Sequence, residues 1–159
     1  MSKMDSDLEK RISRIEDESA IKKTVYNYCF KQDQRNVDGF LDLLTDDIFF
    51  TFRGWALELK GKEELKNYFL EQVFGTHEYH MHQATNLTIE LDGDTADCEA
   101  YLALSSSSDG ASQEAGIRYM IKTRKENGTW KLSEIHCEVV TWKGTFAPED
   151  ESVYERFTV

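Results

Sequence analysis

The sequence predicts an α+β fold in which N-terminal helices pack on one side of a curved antiparallel sheet. Apolar residues recur at helical spacing in the first part of the chain, and after Gly75 they alternate with polar residues as in strands. Asp92-Gly93-Asp94 and Glu126-Asn127-Gly128 are hairpin turn signals. Helices followed by a run of antiparallel strands segregate to one face of the sheet. A curved sheet closed by helices forms a cone, and the mouth of the cone is a pocket.

The N-terminal region carries two apolar stripes at helical spacing. One consists of Leu8, Ile12 and Ile15, and the other of Ile21, Val25, Tyr28 and Gln32. Because six residues separate Ile15 from Ile21, the stripes fall on different faces of a straight helix. We therefore expect a break or kink near Asp17–Ser19. Shorter helices are predicted at Val37–Leu44 and after Gly61, where apolar residues again recur at helical spacing.

The second half of the chain predicts strands at Ile48–Phe52, Thr85–Leu91, Thr95–Leu104, Ile117–Arg124 and Thr129–Trp142. The polar stretch Ser105–Ser112 predicts a loop or a frayed strand end. The sequence offers no linker, so one domain over residues 1–159 is expected. Its core covers about residues 8–142, and an acidic, loose tail covers about residues 148–159.

Composition narrows the classes of partner. The net charge of −11 repels phosphate backbones and anionic lipid, so neither nucleic acid nor a membrane is expected as a partner. The sequence has no signal peptide and no apolar run of the roughly 20 residues that cross a membrane, so the cytoplasm is the default location. Cys29, Cys98 and Cys137 are unpaired by spacing and are expected as small buried side chains, not as zinc ligands.

Three groups of residues, in order along the chain, resemble SnoaL-like proteins of the nuclear transport factor 2-like superfamily. They are Tyr28-x4-Asp33 with Asp38-Gly39-Phe40-x3-Leu44-Thr45-Asp46-Asp47, His82-Gln83-Ala84-Thr85-Asn86 with Leu91-Asp92-Gly93-Asp94-Thr95-Ala96, and Asn127-Gly128-x-Trp130-Lys131-Leu132. The resemblance covers about residues 8–142 and implies a cone-shaped α+β barrel. It also implies that Asp33 and His82 match the Asp–His pair of scytalone dehydratase and hexachlorocyclohexane dehydrochlorinase. Tyr28 completes a set similar to that of bile-acid 7α-dehydratase.

The resemblance is partial at other positions. Gln32 and Phe52 stand where scytalone dehydratase has water-activating tyrosines, and Tyr28 stands where the dehydrochlorinase has lysine. These departures leave the Asp–His pair in place and leave the substrate open.

The pair suits proton abstraction without a cofactor. A neutral His82 can accept a proton, and a carboxylate on its other ring nitrogen fixes the tautomer and stabilises the imidazolium. Tyr28 lies five residues before Asp33, which places the two side chains about 140° apart on a helix, flanking a pocket. Tyr28 would then donate a proton to a leaving oxygen. The sequence thus predicts a cofactor-independent lyase, dehydratase or isomerase for a hydrophobic substrate, with cyclic molecules as the first candidates.

Further pocket residues are predicted from strand alternation and aromatic content: Phe52, Trp55, Tyr101, Tyr119 and His136. Asn86 lies four residues after His82, about 13 Å along the strand, so we expect it to scaffold the pocket and not to act with His82. His77, His80 and His82 offer no third metal ligand in a suitable spacing, so no metal site is expected.

Two other functions fit the same sequence. The chain could be a ligand-binding protein that keeps the cone without the chemistry, or an accessory β-type subunit of a ring-hydroxylating dioxygenase. The open face of the sheet, together with the resemblance, predicts a homodimer or a homotrimer.

Overall fold

Six strands form one sheet against which the N-terminal helices pack. The structure is a computed structural model that describes residues 3–108 and 110–144. In chain order its elements are α1 Lys3–Asp33, α2 Val37–Leu41, β1 Leu44–Arg53, β2 Leu57–Lys60, α3 Gly61–Tyr68 with a π-helical turn Phe69–Val73, β3 Tyr79–Asp92, β4 Thr95–Ser108, β5 Ala111–Glu126 and β6 Thr129–Lys143. The predicted tail at 148–159 lies outside the described residues.

The strand order is β2-β1-β6-β5-β4-β3, and every pair is antiparallel except β1 with β6, which is parallel. The α+β class with helices on one side of a curved sheet is therefore confirmed. The parallel pair arises because the chain leaves β1, builds β3 to β5 at the far side, and returns with β6 beside β1. None of the helices in the described part of the chain is long and apolar enough to span a membrane.

Helix α1 is continuous from Lys3 to Asp33, so the predicted break near Asp17–Ser19 is wrong. The two stripes lie on different faces of this helix, as their spacing requires. The stripe that includes Ile21 and Val25 is buried against the sheet, whereas Leu8, Ile12 and Ile15 remain exposed. One continuous helix thus carries a core-facing stripe and a solvent-facing stripe at different heights along its axis.

The strands are longer than the sequence predicts. Most of the stretch Ser105–Ser112 belongs to strands, since β4 continues to Ser108 and β5 begins at Ala111. The short strand β2 was not predicted. Ser106, in this stretch, and Gln113, directly after it, are buried although they are polar, and both line a cavity described below.

Asp17 fixes α1 to the β5–β6 hairpin. Its Oδ1 accepts hydrogen bonds from Trp130 Nε1 at 2.8 Å and from Lys125 Nζ at 2.7 Å. These contacts lower the pKa of the Asp17 carboxyl, the one with Lys125 most. Trp130 is 3% exposed, so its indole N–H depends on this acceptor.

We expect Asp17→Ala to lower the free energy of unfolding by about 1–3 kcal/mol, because it leaves the indole N–H unpaired. Asp17→Asn keeps an acceptor oxygen and removes only the charge, so its effect should be smaller. Urea denaturation of both variants measures the difference. Equal losses would show that the indole hydrogen bond contributes nothing.

Candidate active site

A cavity of about 500 Å³ lies between the concave face of the sheet, the end of α1 and the α3 region. This volume falls within the range of small-molecule sites. Most of its wall is aromatic or aliphatic, including Phe50, Phe52, Trp55, Phe69, Tyr119 and Trp142. The cavity therefore suits a largely apolar molecule of one or a few rings.

His82 and Asp33 meet at the wall of this cavity. Asp33 is the last residue of α1, and His82 lies on β3. Their Nδ1 and Oδ1 atoms are 2.6 Å apart, and the backbone N–H of His82 also donates to the carboxylate at 3.1 and 3.2 Å. The two side chains are 7% and 18% exposed. The carboxylate is thus fixed by both the backbone and the ring of the same histidine.

This contact determines which nitrogen of His82 is free. Asp33 has no proton to donate as a carboxylate, so Nδ1–H donates and the neutral ring carries its lone pair on Nε2. Nε2 makes no hydrogen bond with the described residues, and the ring lines the cavity. The arrangement presents an oriented base to a bound molecule.

Tyr28 is not part of the cavity wall. It is 1% exposed, and its ring packs against Phe40 with centroids 5.3 Å apart. Its hydroxyl makes no hydrogen bond among the described residues, although the Gln32 amide is close enough to affect it. Burial raises the pKa of Tyr28 well above its usual value. The structure therefore does not bring Tyr28 together with His82 and Asp33, and Gln32, one turn later, lines the cavity instead.

We expect Tyr28→Phe to leave any activity within about twofold and to change stability by at most about 1 kcal/mol, since it removes a buried hydroxyl without a full partner. Activity and thermal melting of the variant check this. A loss of tenfold or more in rate would return Tyr28 to the catalytic set.

The other predicted pocket residues divide into two groups. Phe52, Trp55 and Tyr119 line the cavity. Tyr101 does not: it is 45% exposed on the outer face of the sheet, because Leu102 takes the inward position on β4.

His136 also lies on the outer face, so its prediction as a pocket group is corrected. The β5–β6 register shifts between the pairs Lys122–Glu134 and Thr123–Leu132, so Ser133 has no partner opposite it. This bulge reverses the inward and outward alternation after Leu132. His136 instead hydrogen-bonds Thr51 Oγ1 at 2.8 Å and Glu134 Oε2 at 3.2 Å.

Asn86 sits in a second bulge, where the β3–β4 register shifts between Thr85 and Thr88. Its φ of 52° is left-handed, a conformation that asparagine adopts more readily than most residues. Asn86 is exposed and does not line the cavity. Its role in the recognisable motif is therefore to shape the strand beyond His82.

Two more histidines lie beside His82. Ring centroids are 4.6 Å apart for His77 and His80, and 5.9 Å apart for His80 and His82. No group of three metal-ligating side chains occurs within residues 3–108 and 110–144. Burial, with the neighbouring histidines and Arg35, lowers the pKa of His80 to about 4. His80 is therefore a neutral polar group of the cavity wall at ordinary pH.

The low pKa of His80 predicts acid destabilisation. In the unfolded chain a histidine titrates near ~6.5, so between about pH 6.5 and 4 the unfolded chain binds a proton that folded His80 does not. The free energy of unfolding should therefore decrease as the pH is lowered from about 6.5 to about 4. In His80→Phe this decrease should be smaller by about 1–2 kcal/mol, allowing for the partial exposure of His80. Urea titrations at several pH values measure it. Parallel curves for the two proteins would contradict the assignment.

Several polar wall residues were not predicted from sequence: Gln32, Gln72, Thr76, His77, His80, Ser106, Ser108 and Gln113. Gln32 stood in an apolar helical stripe, which was a usable signal for an inward-facing polar group. Ser106 lies in the stretch Ser105–Ser112, which the sequence predicts as a loop or a frayed strand end, and Gln113 directly follows that stretch.

Solved structures share the cone of helices and sheet. A hexachlorocyclohexane dehydrochlorinase, LinA type 2, is 18% identical with a TM-score of 0.79 over 87% of this chain and 98% of that chain. A proposed scytalone dehydratase from Novosphingobium aromaticivorans is 14% identical, with a TM-score of 0.79 over 86% of this chain and 93% of that chain. A proposed aromatic ring hydroxylase from the same species is 28% identical, with a TM-score of 0.77 over 82% and 94%.

The fold is therefore that of the nuclear transport factor 2-like α+β proteins. Within that class, the sequence profile of the SnoaL-like domain matches residues 13–136, and the chain belongs to this family. None of the curated proteins compared is significantly similar to it in sequence.

Proposed function

We propose that the protein is a cofactor-independent lyase or isomerase that abstracts a proton from carbon with His82. The observation that carries the proposal is the 2.6 Å contact between His82 Nδ1 and Asp33 Oδ1 at the wall of an apolar cavity. The hydrogen bond to Asp33 leaves Nε2 free, and the packing of His82 does not require this. A purely structural pair would be expected to satisfy both ring nitrogens.

The chemistry follows from the two nitrogens. Nε2 accepts a proton from a carbon next to an activating group, and Asp33 stabilises the imidazolium that forms. In an elimination, the electron pair of the broken C–H bond forms a double bond while a halide or hydroxyl leaves the neighbouring carbon. The imidazolium N–H can then protonate a leaving oxygen on the same face of the substrate. In an isomerisation, the same proton returns to a different carbon.

The relatives support this class of reaction by name. The structural relatives include a dehydrochlorinase and a proposed dehydratase, and both names describe loss of a small group from carbon. The apolar wall of the cavity favours a hydrophobic substrate, and its volume allows a bicyclic one.

Two reactions test the proposal without knowledge of the natural substrate. One is exchange of the α-protons of 2-tetralone in D2O, followed by NMR. The other is release of chloride from γ-hexachlorocyclohexane. Wild-type protein should accelerate at least one of them over buffer. The proposal fails if the folded protein accelerates neither.

A second function is favoured by one comparison. The 28% identical relative is named as an aromatic ring hydroxylase, which fits an accessory β-type subunit of a ring-hydroxylating dioxygenase. This function predicts stable association with a larger iron–sulfur protein. A pull-down that recovers no such partner, together with turnover by the isolated chain, would exclude it.

A third function, ligand binding without chemistry, uses the same cavity. It predicts that a bound apolar molecule is recovered unchanged, whereas the lyase or isomerase proposal predicts exchange or elimination. Mass spectrometry of the recovered molecule after incubation in D2O separates the two.

We propose in addition that the protein forms a homodimer or a homotrimer. The outer face of the sheet exposes Tyr79, Met81 and Tyr101 by 45–49%, and α1 exposes a further apolar stripe. Apolar patches of this kind mark association surfaces. Light scattering on a size-exclusion column tests this, and a monomer at tens of micromolar would contradict it.

A further inference from the structure

The cavity has a polar row next to the row that holds His82. His80 on β3 pairs with Ser106 on β4, and Ser106 pairs with Gln113 on β5. All three line the cavity, so they form one line across the sheet on its concave face. Adjacent strands lie about 4.8 Å apart, so the row spans about 10 Å.

The neighbouring row is of a different character. His82 pairs with Leu104, and Leu104 pairs with Ala115, which pairs in turn with Trp142. Apart from His82 and the indole N–H of Trp142, this row is apolar. Two residues along a strand rise about 6.6 Å, so the polar row lies about that far from the His82 row. This is about the length of a fused two-ring molecule.

Burial of Ser106 and Gln113 is not explained by contacts within the protein. They are 2% and 5% exposed. Neither side chain makes a hydrogen bond with the residues that the structure describes, and both border the cavity. Their polar atoms can therefore bind a molecule in the cavity, and His80 Nε2, in the same row, is a buried nitrogen without a partner among the described residues. A buried polar atom without a partner costs about 1–3 kcal/mol, so a ligand that supplies the partner for this row would recover energy.

The chemistry of this row specifies the ligand group. An amide and a hydroxyl each donate and accept hydrogen bonds and carry no charge. No lysine or arginine lines the cavity among the described residues, and the Asp33 carboxylate is already bound to His82. A carboxylate or phosphate on the ligand would therefore be desolvated without compensation.

We propose that Ser106 and Gln113 form an orienting subsite that binds a neutral hydroxyl or carbonyl oxygen of an otherwise apolar, ring-containing ligand. The ligand then spans two rows, with its oxygen on the polar row and its reacting carbon at His82. The assignment of the reacting end rests on the proposed function, whereas the oxygen subsite does not depend on catalysis.

Three probes with one ring system test the subsite: 2-naphthol, naphthalene and 2-naphthoate. Calorimetric titration of wild-type protein should give a dissociation constant for 2-naphthol about tenfold or more below those of the other two, since one satisfied hydrogen-bonding group contributes about that factor. Gln113→Leu and Ser106→Ala should each reduce the preference for 2-naphthol over naphthalene to about threefold or less. Naphthalene affinity should be unchanged.

Gln83→Leu is the matched control, because Gln83 is exposed on β3 and does not line the cavity. It should keep the wild-type preference. Ser106→Ala removes one atom, so it tests the subsite even if Gln113→Leu does not fold. Equal affinity of wild type for naphthol and naphthalene, a preference for naphthoate, no binding of any probe, or an unchanged preference in both variants would overturn the proposal.

The proposed subsite and the proposed base can be disproved independently of each other. His82→Gln should abolish the exchange of the α-protons of 2-tetralone. The same variant should keep the preference for 2-naphthol over naphthalene. A protein that shows this preference but no exchange would retain the subsite and lose the proposed function. The reverse result would retain the base and lose the subsite.

Discussion

His82→Gln is expected to slow α-proton exchange of 2-tetralone by about 10²–10⁴-fold, the usual contribution of a positioned general base. Glutamine fills similar space and can still form polar contacts at the position of the ring. It cannot accept a proton near neutral pH, however, so the chemical step should be lost. The affinity for the probe should change little, because most of the cavity wall is apolar and remains in place.

His136→Gln is the matched control for this experiment. It removes a histidine on the outer face of the same sheet, bonded to Thr51 and Glu134. Its rate should equal that of wild type. If His82→Gln kept more than about a third of the wild-type rate, or if both variants lost activity equally, His82 would not be the base.

Asp33→Asn is expected to lower the same rate by about 10²-fold or more, through the tautomer of His82 and not through direct contact with the substrate. An asparagine can turn its NH2 group toward Nδ1, and Nδ1 would then accept and Nε2 would carry the proton. The base would be absent from the side that faces the cavity. Stabilisation of the imidazolium by a carboxylate would also be lost.

The variant should remain folded, because an amide oxygen can still accept from the backbone N–H of His82. Asp97→Asn, at an exposed position on β4, is the control. The expected signature is a fall in kcat with little change in KM. A fall in stability with an unchanged rate would make Asp33 a structural residue only.

The sequence predicted the fold class well, and the reason is local. Helical spacing in Ile21, Val25 and Tyr28 and the two hairpin turns are properties of short segments. They persist in the structure as α1 and as the antiparallel strands. The contact of His82 with Asp33 spans 49 residues of sequence, and only the family resemblance brought the two together in advance.

The face of each strand residue was harder to predict. Regular alternation along β6 predicts that His136 faces the cavity, but the register shift at Ser133 places it on the outer face. One extra residue reverses the two faces of a strand, and nothing in the composition around Ser133 marks the bulge. Tyr28 shows the same limit on a helix. Its spacing predicts that it is buried, but not that its ring packs against Phe40 and stays out of the cavity wall.

Polarity was misleading where it served the cavity. The serines at the end of β4 fall in a stretch predicted as a loop or a frayed strand end, because buried strands are usually apolar. Gln113 directly follows that stretch. Ser106 and Gln113 are buried because they line the cavity. A polar segment between two clearly predicted strands can therefore indicate residues that line a binding site.

The tautomer of His82 tests the central claim most directly, since it needs no substrate. Long-range 1H–15N NMR of the protein labelled with 15N-histidine, at pH 8, distinguishes the two ring nitrogens. The structure predicts a proton on Nδ1, donated to Asp33, and an unprotonated Nε2, and it predicts that Asp33→Asn disturbs this pattern. A wild-type His82 that carries its proton on Nε2 would contradict the account, because no base would then face the cavity.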